Sequence, residues 1–153
     1  RGLGDVYKRQ PHVSLIHSVD SMRLLAEINK RAAQNNRIIP VLLQCYIAKE
    51  ESKFGLDEIE LENLLKSPEY KTLNNIEVHG LMAMATNTAN QSIVKREFDS
   101  LSQTFNQLKI QFFKAQDSFK ILSMGMSGDC RNAIECGSTM VRIGSAIFGA
   151  RNY

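Results

Sequence analysis

No uninterrupted apolar run in this chain approaches the ~20 residues that a membrane-spanning helix requires. The N-terminus also lacks the apolar core of a secretory signal. Cysteine is scarce: Cys45, Cys130 and Cys136 make an odd count without metal-site spacing, and no histidine pair accompanies them. Neither a zinc site nor a disulfide framework is expected, and the three read as reduced thiols of a cytoplasmic protein. An excess of one charge is missing too. The net charge is only +3 and the basic residues are scattered, which argues against a nucleic-acid surface, since that needs a clustered stripe. A Ser-His-Asp arrangement, a metal-ligand cluster and a G-x-x-x-x-G-K-[ST] loop are likewise not found. What remains is 153 residues, 43% hydrophobic and 23% charged, the profile of one soluble globular domain.

Apolar periodicity then organises the chain. Val13 to His17 reads as a short strand, followed by a helix capped by Ser18 or Asp20, with Met22, Leu25, Ile28 and Ala32 on one face and Asn35-Asn36 at its end. Ile38 to Ile47 is apolar through its centre, as buried parallel strands are. Residues 48–55 are a polar loop. Leu56 to Lys66 is a helix turning Leu61, Leu64 and Leu65 inward, with Pro68 just beyond it. Ile76 to Met84 is a third strand. From about Ser92, Val94, Phe98, Leu101, Phe105, Leu108 and Phe112 step by four and three, the strongest helical signal present.

The last stretch, Ser123 to Gly149, holds two strand-to-helix turns. Ile121, Leu122 and Met124 end a strand, Gly125-Met126-Ser127-Gly128 turns into a helix through Ala133, and Gly137 stops that helix. Thr139 to Ile143 forms a second buried strand, which Gly144-Ser145 turns into another helix start at Ala146. Two such turns side by side make an anion site, because helix N-termini present unpaired N–H donors and the positive end of a dipole. On the residues alone, Ser127 reads first as a helix cap, with Asp129 in the first turn favouring the dipole, and only second as an anion ligand. Arg142 lies inside an apolar strand, where an unpaired charge is costly.

Alternating strands and helices imply parallel strands joined by right-handed crossovers. Both an open doubly wound sheet and part of a (β/α)8 barrel fit this pattern. The blocks SMGMSGD and GSTMVRIGSAIFGAR, with HSVDS at 17–21, VLLQ at 41–44, ESKFG at 51–55 and GLMAM at 80–84, resemble the pyridoxal phosphate homeostasis protein family, relatives of the alanine racemase N-terminal barrel. The resemblance covers Val13 to Tyr153 and decides for the barrel. It implies an α/β fold, a partial (β/α)8 TIM barrel, in which the five strands here are the C-terminal units and three N-terminal units are absent. Those units carry the family's Schiff-base lysine. Residues 1–10 fit neither pattern nor family and read as a foreign leader, so Lys8 is no substitute; 11–153 are read as part of a single barrel domain.

The resemblance further implies pyridoxal 5′-phosphate as cofactor, bound by Met126, Ser127, Arg142, Gly144 and Ser145. In it, Ser127, Gly144 and Ser145 meet the phosphate and Arg142 faces the pyridine nitrogen. The implied role is cofactor supply and homeostasis without catalysis, in a monomer with a small-molecule partner and neither nucleic acid nor membrane. The alternatives are a racemase-type enzyme and a barrel for another phosphorylated ligand. His17 is expected to be a structural histidine satisfied by the neighbouring helix cap, His79 to be structural, and the 51–55 loop either to lie at the site rim or to be a plain charged surface loop.

Overall fold

The computed structural model describes residues 12–48 and 54–149; the leader assigned to residues 1–10 and Glu51-Ser52-Lys53 of the rim loop lie outside them. The elements alternate as expected: β1 (Ile16–Val19), α1 (Met22–Gln34), β2 (Ile39–Cys45), α2 (Glu58–Lys66), β3 (Ile76–Ala83), α3 (Gln91–Gln111), β4 (Ile121–Met126), α4 (Cys130–Glu135), β5 (Met140–Arg142) and α5 (Ser145–Phe148). All four strand pairings are parallel, and the order across the sheet is the order along the chain. That order settles the architecture. A doubly wound sheet reverses its strand order at a switch point, whereas a barrel adds each strand beside the last. The described chain is a partial α/β barrel of five strands.

Helices pack against one face of this sheet. Leu25, Ile28 and Ala32 of α1, Leu61 and Leu65 of α2, and Phe98 and Leu101 of α3 cover Ile39, Val41, Leu43, Val78, Leu81, Leu122 and Met124. The stride read from the sequence for α3 is the buried face observed, and Phe112 is its C-cap. Phe119 stacks on Phe113 at 4.1 Å and on Phe105 at 4.8 Å, which closes the core beneath β4.

Several boundaries move, each for a physical reason. β1 begins at Ile16 rather than Val13, because its pairing with β2 runs from Ile16 opposite Val41 to Val19 opposite Leu43. Residues 18 and 19 are thus extended, and Ser21, not Ser18 or Asp20, caps α1 by accepting from the Leu24 N–H at 3.3 Å. α2 starts two residues late: Leu56 bridges to Cys45, and Asp57 and Glu60 form a reciprocal capping box. β4 continues through Gly125 and Met126, so the first turn is Ser127 to Asp129. β5 is only half-buried, not a buried strand, since in the described sheet it is an edge with one partner.

Helix ends follow the sequence closely. Gly137, at φ 92°, closes α4 in a Schellman motif, with Ser138 N–H on the Ala133 carbonyl and Gly137 N–H on that of Ile134. Asn36, at φ 50°, does the same for α1. At the opposite end of the barrel His79 Nε2 lies 2.7 Å from Glu77 Oε2, and the Ser118 hydroxyl donates to Glu77 Oε1.

Gly80 fixes the approach of β3 to β4. Its φ is 154°, and a Cβ there would lie 1.7 Å from the Ile121 carbonyl oxygen. Gly80→Ala is therefore expected to lower unfolding free energy by about 3 kcal/mol, at the upper end of ordinary overpacking, whereas Gly128→Ala, whose Cβ meets nothing within 4 Å, should stay within ~0.5 kcal/mol. Urea unfolding of both variants tests this. The hydrogen bond from His79 holds the Glu77 carboxyl below its ordinary value of 4.5, with that from Ser118 adding to it against some burial. Its stabilising contribution is complete above that ordinary value and is lost as pH falls through the lowered one. Replacement by Gln should accordingly flatten the acid limb of the stability profile, as read by thermal melts from pH 6 to 3.

Candidate functional site

Parallel strands bring all their C-terminal ends to one rim, and the expected site residues gather at the β4–β5 part of it. Met126 ends β4, Ser127 opens the turn into α4, Arg142 ends β5, and Gly144-Ser145 open α5. One hydroxyl ties the two turns together. Ser127 Oγ accepts from the Gly144 N–H at 3.2 Å and from the Ala146 N–H at 3.3 Å. Ser127 is thus a cap, but of α5, seventeen residues on, rather than of its own helix. The Asp129 carboxylate folds back to accept from the Met126 N–H at 2.6 Å. Met126 therefore brings no free backbone donor to the site, and its side chain is 40% exposed.

Arg142 crosses the sheet. Its Nη1 donates to the Ser123 carbonyl at 3.0 Å and to Ser123 Oγ at 2.9 Å, and its Nη2 donates to the Ala83 carbonyl at 2.9 Å. Leu122 and Met124 face the helices, so Ser123 between them faces the concave side. The guanidinium hence lies over β4 and reaches β3. Among the described residues its acceptors are neutral, and no carboxylate forms a salt bridge with it. Burial lowers its pKa and the charge of Asp129 opposes that fall. It remains a cation that can only donate.

His17 departs from expectation. The cap at Ser21 is engaged with Leu24, and His17 Nδ1 is buried without a hydrogen-bond partner among the described residues. Burial, and then the Arg142 charge, lower its pKa. Two further residues carried a weak sequence signal. Ser123 is a polar residue in an apolar strand and is wholly buried. Glu97 interrupts the apolar face of α3, where its carboxylate accepts from both the Thr86 N–H at 2.7 Å and the Thr86 hydroxyl at 2.6 Å, holding the loop after β3. Near the end of β2, Gln44 Nε2 donates to the Phe54 carbonyl at 2.7 Å, which ties the described end of the 51–55 loop to that strand.

A cleft of about 510 Å³ lies elsewhere, among Cys45, Leu56, Glu58, Leu61 and Thr104, between α2, α3 and the end of β2. Burial, with a smaller contribution from Glu58, pushes the Cys45 thiol up, and burial pushes the Cys136 thiol up to about 11. Neither is poised as a nucleophile.

Residues 5–152 match the family described as alanine racemase, N-terminal domain. The chain is 39% identical to the pyridoxal phosphate homeostasis protein of Haemophilus influenzae and 41% identical to that of Aquifex aeolicus. The aligned regions cover 93% and 92% of this chain but only 58% and 60% of those proteins. Among solved structures it resembles PipY of Synechococcus elongatus with pyridoxal phosphate bound, with a TM-score of 0.83 at 28% identity, over 97% of this chain and 67% of PipY. Alanine racemase of Clostridium difficile shares the fold, with a TM-score of 0.63 at 14% identity, over 100% of this chain and 38% of that one. On this match of sequence and fold, the chain belongs to the alanine racemase N-terminal domain family.

Proposed function

We propose that this chain is part of a barrel that binds pyridoxal 5′-phosphate and holds it for supply, without turning over a substrate. The observation that carries the reading is the Ser127 oxygen between the N–H groups of Gly144 and Ala146. An oxygen already sits between two helix starts, which is the environment that a phosphate oxygen seeks. The N–H groups of Gly128 and Ser145 have no acceptor among the turn and loop hydrogen bonds of the described residues. A Cβ at Gly144 or Gly128 would meet nothing within 4 Å, so an approaching anion would find open space there. The residues fit the group: Ser127, Gly144 and Ser145 would hold the phosphate, and the Nε–H of Arg142, which the sheet does not use, would donate to the ring nitrogen.

When bound, the cofactor supplies an aldehyde that takes up amines and a ring that withdraws electrons. Arg142 would leave the ring nitrogen unprotonated and so weaken that withdrawal, which suits storage and delivery more than catalysis. None of the five strands carries a lysine, and Lys49 and Lys53 fall outside the described residues. Within the described residues, holding by the two turns is therefore non-covalent, and by the family resemblance a Schiff-base lysine belongs to other units of the barrel. A cytoplasmic monomer belongs to the same reading. No described helix is long and apolar enough to cross a membrane.

Equilibrium dialysis against pyridoxal phosphate tests the proposal. Arg142→Ala should weaken binding about tenfold, equivalent to ~1.4 kcal/mol, with Arg142→Lys failing to restore it. Ser127→Ala should cost a few-fold, with circular dichroism confirming that each variant is folded. Borohydride reduction followed by intact mass should give no stoichiometric lysine adduct. Binding indifferent to both residues would refute the site, and exchange of alanine α-hydrogen at a turnover rate would favour a racemase.

A further inference from the structure

We infer that Glu97 is a positioning residue for the cofactor site: by clamping Thr86 it holds the Ala83 carbonyl where the Arg142 guanidinium needs it. The inference rests on the cofactor reading above. It begins from a carboxylate in apolar company. Glu97 lies on the buried stripe of α3, between Val94 and Phe98, and is only 7% exposed. A charge taken out of water there is costly, and an apolar residue of similar volume ordinarily serves stability as well or better. What the carboxylate adds is direction. Its Oε2 accepts from the Thr86 N–H at 2.7 Å and its Oε1 from the Thr86 hydroxyl at 2.6 Å. Two charge-assisted bonds to one residue fix both its backbone and its side chain.

The place of Thr86 gives the clamp its reach. Only Met84 and Ala85 separate it from Ala83, the last residue of β3. Ala83 pairs with Cys45 of β2 on one side, whereas on the other the β3–β4 register ends at Met82 opposite Ser123. Beyond that last pair, the Ala83 carbonyl accepts from Arg142 Nη2 at 2.9 Å. Three residue steps of chain span at most ~10 Å, so little slack separates the clamp from the carbonyl. A continuous path of contacts therefore runs from α3 through Thr86 and Ala83 to the guanidinium.

Arg142 needs that second anchor. Its Nη1 rests on the carbonyl and hydroxyl of a single residue, Ser123. A guanidinium held at one nitrogen can still swing about that point. The bond from Nη2 to Ala83 fixes the plane of the group, and with it the direction of the Nε–H that the cofactor reading assigns to the ring nitrogen. Glu97 thus bears on ligand binding through Arg142, from the helix-covered side of the sheet and without touching the ligand.

The test is a double-mutant cycle on dissociation constants for pyridoxal phosphate, measured by equilibrium dialysis on this chain. Glu97→Leu, which exchanges the carboxylate for an apolar side chain of similar size, should weaken binding about threefold, within the range of coupling between contacting groups. Glu97→Gln should restore most of the loss, since its amide oxygen can take the Thr86 N–H and its amide N–H can donate to the hydroxyl. In an Arg142→Ala background Glu97→Leu should cost nothing further, a result that a residue serving the fold alone would not give. Melting temperatures show which variants are folded, and Thr86→Val, which removes the hydroxyl donor alone, enters the same cycle if Glu97→Leu is not. If the folded variant binds as tightly as the unmodified chain, or loses the same factor with and without Arg142, the inference is overturned while the cofactor reading stands. If the unmodified chain does not bind pyridoxal phosphate, the reading and the inference fall together.

Discussion

A single half-buried cation governs how the β4–β5 rim of this half-barrel is built. Arg142 cannot be taken out of water without acceptors, and no carboxylate among the described residues pairs with it. The sheet answers with two carbonyls and one hydroxyl, from Ser123 of β4 and Ala83 of β3. These bonds require β3, β4 and β5 to keep a fixed register across the concave face. They also explain why a serine lies in the middle of an otherwise apolar β4, where it is wholly buried. With its two terminal nitrogens engaged, the side chain is held in one orientation, and the remaining Nε–H has a defined direction. This is preorganisation in the ordinary physical sense, since the ordering of the long side chain is met by folding and not by binding.

The second organising contact, the Ser127 hydroxyl, couples two turns that neighbour each other in space but lie seventeen residues apart. Local reading identified the residue and its capping chemistry and assigned it to the adjacent helix. The assignment changed because Asp129 already serves the start of that turn, through the Met126 N–H. The free N–H groups that the serine could reach were those at the start of α5. A cap read from sequence is a statement about side-chain chemistry; which helix receives it depends on tertiary proximity.

That distinction describes how much was legible throughout. α3 was plain because its stride of four and three repeats over twenty-one residues, and only a helix buries such a pattern on one face. The Schellman ends at Asn36 and Gly137 were plain because few residues tolerate positive φ. The start of α1 was not, because Ser18, Asp20 and Ser21 are all competent caps. The choice fell to the parallel pairing of Val19 with Leu43, which no local pattern reports. Leu56 was lost to its helix in the same way, drawn into a bridge with Cys45. Of the candidate site residues, Arg142, Ser127 and Gly144 stand out in the sequence by charge and turn chemistry, whereas the clamp of Glu97 on Thr86 and the unsatisfied nitrogen of His17 depend on contacts between distant segments.

The strictly consecutive strand order carries a consequence for how such a sheet assembles. Every strand pairs with its immediate successor in the chain, so each pairing closes a loop of only one helix and its turns. Loop-closure entropy grows slowly with length, and no step here demands a longer closure than the one before it. Assembly can thus begin at whichever βα pair is most stable and proceed outward strand by strand, with relatively local contacts for a parallel sheet. The best-paired strands, β2 and β3, which match in seven register positions, are the natural seed. The three-residue β5, which carries Arg142, would be the last to lock and the first to fray. The β4–β5 margin would then be the least cooperative part of the described sheet, and any anion bridging the two turns would act there as a fastener.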